Sequence, residues 1–151
     1  MTITLDTNIL VYAYDNGAGE RHDMARDLVE RALARGNCVL TAQSLGEFYV
    51  AVTRKGKVTA EQAHDVVGML RRMFPVVAAD ADCIDAAITV ARTHTLQFWD
   101  TLLWATAERH GCTLLLSEDF QDGRRLGATL ILNPFNAGNR VVLDAALPAV
   151  E

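Results

Sequence analysis

The residues with the greatest capacity for chemistry begin at the sixth position of the chain. Asp6 follows the apolar run 3–5, and Thr7 and Asn8 come directly after it. A carboxylate, a hydroxyl and an amide on successive residues offer oxygen atoms of the kind that hard divalent cations bind. The alternative is that Asp6 or Thr7 caps a helix over residues 9–14. The positions of the other carboxylates decide between these readings.

Two further acidic residues occur at predicted helix starts. Glu47 follows Ser44 by three residues, which fits a capping box as well as a ligand in the first turn of a helix. Asp100 precedes an apolar helix start, where a carboxylate also complements the helix dipole. Each residue therefore has a structural explanation of its own.

A fourth acidic group follows the apolar run 113–116. Ser117, Glu118 and Asp119 come directly after this run, and ordinary turn chemistry accounts for any one of them. Asp122 precedes a glycine, which favours a turn there. The pattern alone leaves open which of the three acidic residues would act with the other carboxylates.

Apolar runs and helical periodicity alternate along the chain. The runs predict five strands, at 3–5, 38–41, 75–78, 113–116 and 129–132. The segments between them predict helices at 9–14, 21–35, 44–56, 59–73, 80–91 and 99–110. Alternation of this kind is typical of a parallel sheet covered by helices on both faces. The tail 139–151 is ambiguous, because residues 141–143 fit either a strand or irregular docking.

The acidic residues come from four separate segments, each of which is predicted at one end of the same sheet. The carboxyl edge is where open parallel sheets bind ligands. Carboxylates that crowd together repel one another, so such a cluster normally implies a bound cation, and oxygen-only ligands favour magnesium or manganese. The fitting chemistry is attack of metal-activated water on a phosphodiester. Basic residues that could guide such a substrate are Arg21, Arg54, Lys55 and Lys57.

Composition excludes several other classes of protein. The 151 residues carry a net charge of -5, which argues against coating nucleic acid by broad basic attraction. No apolar window is long enough to cross a bilayer and no secretion signal is present, so we expect a cytoplasmic protein. The three cysteines lack metal-ligand spacing and fit reduced, buried thiols.

Four segments of the chain stand out together: Leu5-Asp6-Thr7-Asn8-Ile9-Leu10, Ser44-Leu45-Gly46-Glu47-Phe48, Trp99-Asp100-Thr101-Leu102 and Leu115-Leu116-Ser117-Glu118-Asp119-Phe120. They resemble the motifs of PIN-domain ribonucleases, and their order and spacing are most similar to the VapC-type toxins of bacterial toxin–antitoxin pairs. The resemblance extends from residue 3 to about residue 133. It implies one α/β/α PIN-like nuclease domain over 1–151, with a central parallel sheet of about five strands and the tail 136–151 left open.

The same resemblance implies an activity and a set of site residues. The protein would be a Mg²⁺- or Mn²⁺-dependent endoribonuclease that leaves a 5′-phosphate, forms a homodimer and is silenced by a separate antitoxin protein. The metal-binding and catalytic carboxylates would be Asp6, Glu47, Asp100 and Asp119. Thr7, Asn8 and Ser117 would support them. Glu118 and Asp122 remain alternatives for the fourth carboxylate.

Two other functions fit parts of the pattern. A response-regulator receiver domain also gathers carboxylates at a sheet edge, but it needs a lysine after a late strand, and the only lysines are Lys55 and Lys57. A non-catalytic PIN-like module that binds RNA or a partner remains the second reading. Magnesium-dependent cleavage of RNA distinguishes an enzyme from such a module.

Overall fold

The computed structural model describes residues 1–54, 56 and 58–151. Lys55 and Lys57, two of the four basic residues considered for substrate guidance, lie outside this range. The strands are β1 (Thr2–Leu5), β2 (Leu40–Thr41), β3 (Val76–Val77), β4 (Cys112–Leu116), β5 (Arg125–Leu126) and β6 (Thr129–Leu132). The helices are α1 (Thr7–Tyr14), α2 (Glu20–Arg35), α3 (Ala42–Arg54), α4 (Ala60–Met73), α5 (Ala81–His94), α6 (Phe98–Arg109) and α7 (Arg140–Ala146).

The strands form a mostly parallel sheet. One sheet has the order β1-β4-β6-β5, and β2 and β3 pair as a second, two-stranded sheet. A parallel bridge between Ile3 and Cys38 joins the two. All five predicted strands are present, but the central sheet has four strands instead of about five, because β2 and β3 pair separately and β5, which was not predicted, joins at the edge. This strand pairs antiparallel to β6 and is only two residues long.

Helices cover both faces of the sheet, as predicted for an α/β/α fold. Leu114 and Leu116 of β4 pack into a core with α1, α2, α3, α4 and α7. Leu115, between them, packs into a second core with α5 and α6. Neighbouring strand residues point to opposite faces, so the continuous apolar run of β4 serves two layers of helices.

Local sequence signals explain several helix boundaries. Thr59 and Gln62 form the predicted capping box at the start of α4. The Asp80 carboxylate accepts the Cys83 N–H and caps α5, also as predicted. Gly36 ends α2 in the left-handed conformation (φ 69°) that glycine adopts without a steric cost.

The tail differs from both sequence-based alternatives. Residues 140–146 form helix α7, neither a strand nor an irregular segment. Leu143, Ala146 and Leu147 are at helical spacing and are buried against the larger core, whereas Val141 is 81% exposed. Burial of these residues on one face therefore stabilises a helix, although the β-branched pair Val141 and Val142 favours a strand.

Two smaller observations concern apolar and thiol groups. Ile84 and Ile88, expected on the apolar stripe of α5, are 43% and 44% exposed, and Ala87 is the buried residue of that turn. The three cysteines are free and buried, as predicted. No helix in the described part of the chain is both long and apolar enough to cross a membrane.

Candidate active site

Asp6 is placed by the pairing of the first and fourth strands. Leu5 of β1 lies beside Leu116 of β4, and the Asp6 N–H donates to the Leu116 carbonyl (2.9 Å). The next residues on the two strands therefore meet: the Ser117 hydroxyl donates to Oδ2 of Asp6 (2.7 Å). The Thr7 N–H donates to Oδ1 (2.6 Å), which makes Asp6 the cap of α1 as well. The two readings of Asp6 are compatible.

Glu47 reaches the same region from α3, but not through the predicted capping box. The Thr41 hydroxyl accepts the Ser44 N–H (3.1 Å), so the helix begins before Ser44. Glu47 consequently lies in the second turn of α3, where a capping interaction is out of reach. Its Oε2 accepts the Thr7 hydroxyl (2.6 Å).

Gln43 was not identified from the sequence. Its Nε2 donates to Oε1 of Glu47 (2.9 Å) and to the Trp99 carbonyl (2.9 Å). One amide thus links α3 to the first turn of α6, where Asp100 is located. The four-residue spacing of Gln43 and Glu47 on one helix face was the available signal.

The adjacent residues Glu118 and Asp119 have different environments. Asp119 accepts a hydrogen bond from the side-chain amide of Asn8. Glu118 forms an ion pair with Arg21 (2.6 Å) and accepts the Tyr12 hydroxyl (2.8 Å). The hydrogen bond to Glu118 is the main reason that the pKa of Tyr12 is raised.

Asp122, the third alternative, is engaged in holding loops. It accepts the Asn133 N–H (2.8 Å) and the side-chain amides of Asn136 (2.9 Å) and Asn139 (2.8 Å). Burial alone would raise the pKa of Asp122, but the hydrogen bonds from these three residues outweigh it, and the pKa is lowered. This environment is that of a structural carboxylate.

The four candidate carboxylates line one cleft of about 490 Å³. The lining residues are Asp6, Thr7, Asn8, Gly46, Glu47, Val50, Ala51, Arg54, Gln97, Asp100 and Asp119. Among the basic residues considered for substrate guidance, Arg54 lines this cleft. Arg21 instead pairs with Glu118. Glu118 and Asp122 are not among the lining residues.

The electrostatics of the cleft reflect crowded carboxylates. Burial raises the pKa of Asp6, its two hydrogen bonds oppose the change, and repulsion from Glu47 and Asp119 adds to it. Burial also raises the pKa of Asp100 to about 6, with repulsion from the other three carboxylates as the further cause. The cleft therefore carries anionic charge that a cation would stabilise.

The donor chemistry of the cleft fits a hard divalent ion. Among the described residues, four carboxylates and no thiolate or imidazole line it, which favours magnesium or manganese over zinc. Within residues 1–54, 56 and 58–151, no three His, Cys, Asp or Glu side chains already stand as ligands around a common point. An ion shared by these carboxylates would therefore need them to move closer together.

Comparison with known proteins gives a family and a fold. The family model of the PIN domain matches residues 3–124. No curated protein sequence matches significantly.

Solved structures of similar fold include several toxins. A toxin–antitoxin complex from Klebsiella pneumoniae is 18% identical with a TM-score of 0.64 and covers 89% of this chain and 98% of its own. VapC20 from Mycobacterium tuberculosis, a toxin that cleaves the sarcin-ricin loop, is 20% identical with a TM-score of 0.63, covering 80% and 92%. VapBC2 from Rickettsia felis, bound to promoter DNA, is 17% identical with a TM-score of 0.65, covering 88% and 98%. At these low identities, the structural likeness shows a shared fold and nothing further.

Proposed function

The chain belongs to the PIN domain family, and from this premise we propose that it is a metal-dependent endoribonuclease, the toxin of a toxin–antitoxin pair. The reaction is hydrolysis of an RNA phosphodiester: water attacks phosphorus, the bond from phosphorus to O3′ breaks, and a 5′-phosphate results. We take residues 1–151 as one nuclease domain. The cleft lined by Asp6, Glu47, Asp100 and Asp119 carries the proposal.

We assign the metal-binding role to these four carboxylates. A bound Mg²⁺ or Mn²⁺ would neutralise charge on the phosphate and make water a stronger nucleophile. Asp6 and Asp100, whose pKa values are raised, would be the central ligands because a cation relieves their unfavourable environment most. Glu47 and Asp119 would complete the anionic rim.

The neighbouring polar residues orient the carboxylates. Ser117 and the Thr7 N–H each occupy one oxygen of Asp6, and every carboxylate oxygen keeps a further lone pair for an ion. The Thr7 hydroxyl and the Asn8 amide hold Glu47 and Asp119 in the same way. Partners of this kind fix the direction of a ligand and tune its affinity for metal.

Arg54 is the proposed contact for the RNA backbone. It lines the cleft at the end of α3 and is exposed. A guanidinium pairs well with phosphate because its fork of N–H groups matches two phosphate oxygens. Because the net charge of -5 gives no overall attraction to RNA, a local basic contact of this kind would help to bind the backbone.

The proposed partners are an antitoxin and a second copy of the chain. The antitoxin proposal is supported by similar solved structures that are toxin–antitoxin complexes. The homodimer follows from the resemblance to VapC-type toxins. Co-purification with the product of the adjacent reading frame, and the mass of the isolated protein in solution, test these two proposals.

The decisive experiment measures RNA cleavage by the purified protein. Single-stranded and structured RNA are incubated with Mg²⁺, with Mn²⁺ and with a chelator, and the product ends are mapped. We expect cleavage with either metal, 5′-phosphate ends, and none with the chelator. Retention of RNA without cleavage in any metal would instead support the non-catalytic binding module. Asp6→Asn serves as the inactive control.

A further inference from the structure

The three residues 117–119 connect the cleft to two helices on its outer side. The Ser117 hydroxyl donates to Asp6, and the Asn8 amide donates to Asp119. Between them, Glu118 contacts Tyr12 of α1 and Arg21 of α2 instead of the cleft. Ser117 and Asp119 therefore contact residues of the cleft, whereas Glu118, between them, contacts residues outside it.

Both oxygens of Glu118 are occupied. Arg21 Nη2 lies 2.6 Å from Oε1, and the Tyr12 hydroxyl donates to Oε2 at 2.8 Å. The Glu118 side chain is only 16% exposed, so this ion pair is better shielded from water than an ordinary surface pair. Loss of either donor leaves a largely buried carboxylate short of a partner, which is costly.

The two donors are themselves held in place by an aromatic ring. The Arg21 guanidinium lies over the Phe135 ring, 4.7 Å from its centre. The Tyr12 ring meets the same ring edge-on, with 5.7 Å between centres. Phe135 thus packs against both donors and favours their positions beside Glu118.

The position of Glu118 limits that of Asp119. Both residues follow the end of β4 at Leu116 and lie outside the strand. Residues 118–120 form bends in which Glu118 contacts α1 and α2 while Asp119 lines the cleft. Because the two residues are adjacent, anchoring Glu118 limits the positions that the backbone of Asp119 can take, and it also keeps a fifth carboxylate out of an already crowded site.

We propose that Tyr12, Arg21 and Glu118 form a clamp that positions Asp119 in the cleft. These are positioning residues, and they act on the ion and the substrate only through the segment 117–119. The proposal rests on the function assigned above in so far as Asp119 helps to hold a metal. The clamp itself is a property of the metal-free protein.

The first test measures Mn²⁺ binding by the loss of the free-ion signal in electron paramagnetic resonance. Arg21→Ala and Tyr12→Phe are each expected to raise the Kd for Mn²⁺ roughly tenfold, the scale on which misplaced outer partners weaken metal sites. The kcat should fall with KM for RNA unchanged. Arg26→Ala is the matched control, because Arg26 is also on α2 and pairs with Glu30 on an exposed surface (3.2 Å). It should bind Mn²⁺ like the wild type.

A double-mutant cycle tests whether Arg21 acts through Glu118. If it does, Arg21→Ala should have no further effect on the Kd for Mn²⁺ once Glu118→Ala is present. Additive effects would contradict the clamp. A loss in Glu118→Ala as complete as that in Asp119→Asn would also overturn it, because Glu118 would then itself be the ligand.

Amide hydrogen exchange in the metal-free protein separates this proposal from the proposed function. Arg21→Ala and Tyr12→Phe should speed exchange at residues 117–120, and Arg26→Ala should leave it at the wild-type rate. Unchanged exchange in both clamp variants overturns the clamp even if the wild type cleaves RNA. Faster exchange in a protein that neither binds Mn²⁺ nor cleaves RNA would sustain the clamp and refute the proposed function.

Discussion

Asp100 and Asp122 show two ways in which this protein accommodates a carboxylate. The pKa of Asp100 is raised to about 6 by burial and by three neighbouring carboxylates, with no hydrogen bond in the described structure to offset them. The pKa of Asp122 is lowered although burial opposes the change, because Asn133, Asn136 and Asn139 donate hydrogen bonds to it. The first carboxylate is surrounded by anions and the second by donors.

The difference separates a functional environment from a structural one. A carboxylate that receives several hydrogen bonds stabilises the fold in its ionised form. A carboxylate that faces other carboxylates destabilises the fold, which supports the proposal that Asp100 binds a cation that compensates the charge. Proximity in sequence is a poor guide here, since Asp122 is only three residues from Asp119 of the cleft.

The largest expected effect is on activity. Asp100→Asn should lower RNA cleavage in Mg²⁺ by more than about a hundredfold, because loss of a ligand exceeds the 10–100-fold cost of losing an outer partner. The same substitution should leave the fold intact and raise the Tm of the metal-free protein, since it removes the repulsion. Cleavage assays and thermal unfolding in the presence of a chelator measure the two effects.

Asp122→Asn is the matched control for this comparison. It changes an acid to its amide outside the cleft and should retain wild-type cleavage. Equal losses of activity in the two variants would show that the contrast between their environments has no functional meaning.

A smaller loss of activity is expected on removal of an orienting donor. Thr7→Val keeps the shape of the side chain but removes the hydroxyl that donates to Glu47. Cleavage should fall about tenfold, and a higher Mg²⁺ concentration should recover part of it. Thr89→Val, which removes an exposed hydroxyl bonded to the Asp85 carbonyl on α5, should cleave RNA normally.

Substitution of Asp122 should change the stability of the protein. Asp122→Ala removes three hydrogen bonds and should lower the free energy of unfolding by about 1–2 kcal/mol, because its exposed position limits the cost. Urea denaturation measures this. Glu30→Ala, which breaks an exposed ion pair with Arg26, should change stability by less than about 1 kcal/mol.

The smallest predicted effect is on the pH dependence of stability. Asp100 has a pKa of about 6 when folded and of about 3.9 when unfolded, so the folded protein binds this proton more tightly. Its contribution therefore favours folding below about pH 4 and is lost as the pH rises to about 6. Partial exposure limits the loss to about 1 kcal/mol. The measurement is the free energy of unfolding of the metal-free wild type minus that of metal-free Asp100→Asn, determined by denaturation at a series of pH values. This difference should fall between about pH 4 and pH 6. A rise over that range would contradict the assignment.

The fold could be predicted from the sequence where an element buries a continuous apolar run or has a local cap. Strands β1, β4 and β6 are of the first kind, and the capping box of α4 is of the second. Strand β5 was missed because Arg125–Leu126 belongs to no apolar run, unlike the equally short β2 and β3. Helix α7 was missed because Val141 and Val142 favour a strand, although the buried residues have helical spacing.

The candidate site was predicted only as far as strand ends determine it. Asp6, Glu47, Asp100 and Asp119 line one cleft because they belong to loops and helices at the same end of the sheet. Their metal-binding role stays a prediction. The choice among the acidic residues 118, 119 and 122 depends on side-chain direction in an irregular loop, and sequence spacing does not fix that direction. The same holds for Gln43, whose two partners lie on different helices.

The central claim is that carboxylates from four segments of the chain bind a divalent ion at one end of the sheet. A crystal structure of the protein grown with Mn²⁺, with anomalous scattering recorded at the manganese absorption edge, tests it most directly. The account predicts an anomalous peak within coordination distance of Asp6 and Asp100, with Glu47 or Asp119 turned towards it. Manganese bound only elsewhere on the protein, with these four side chains unchanged, would contradict it.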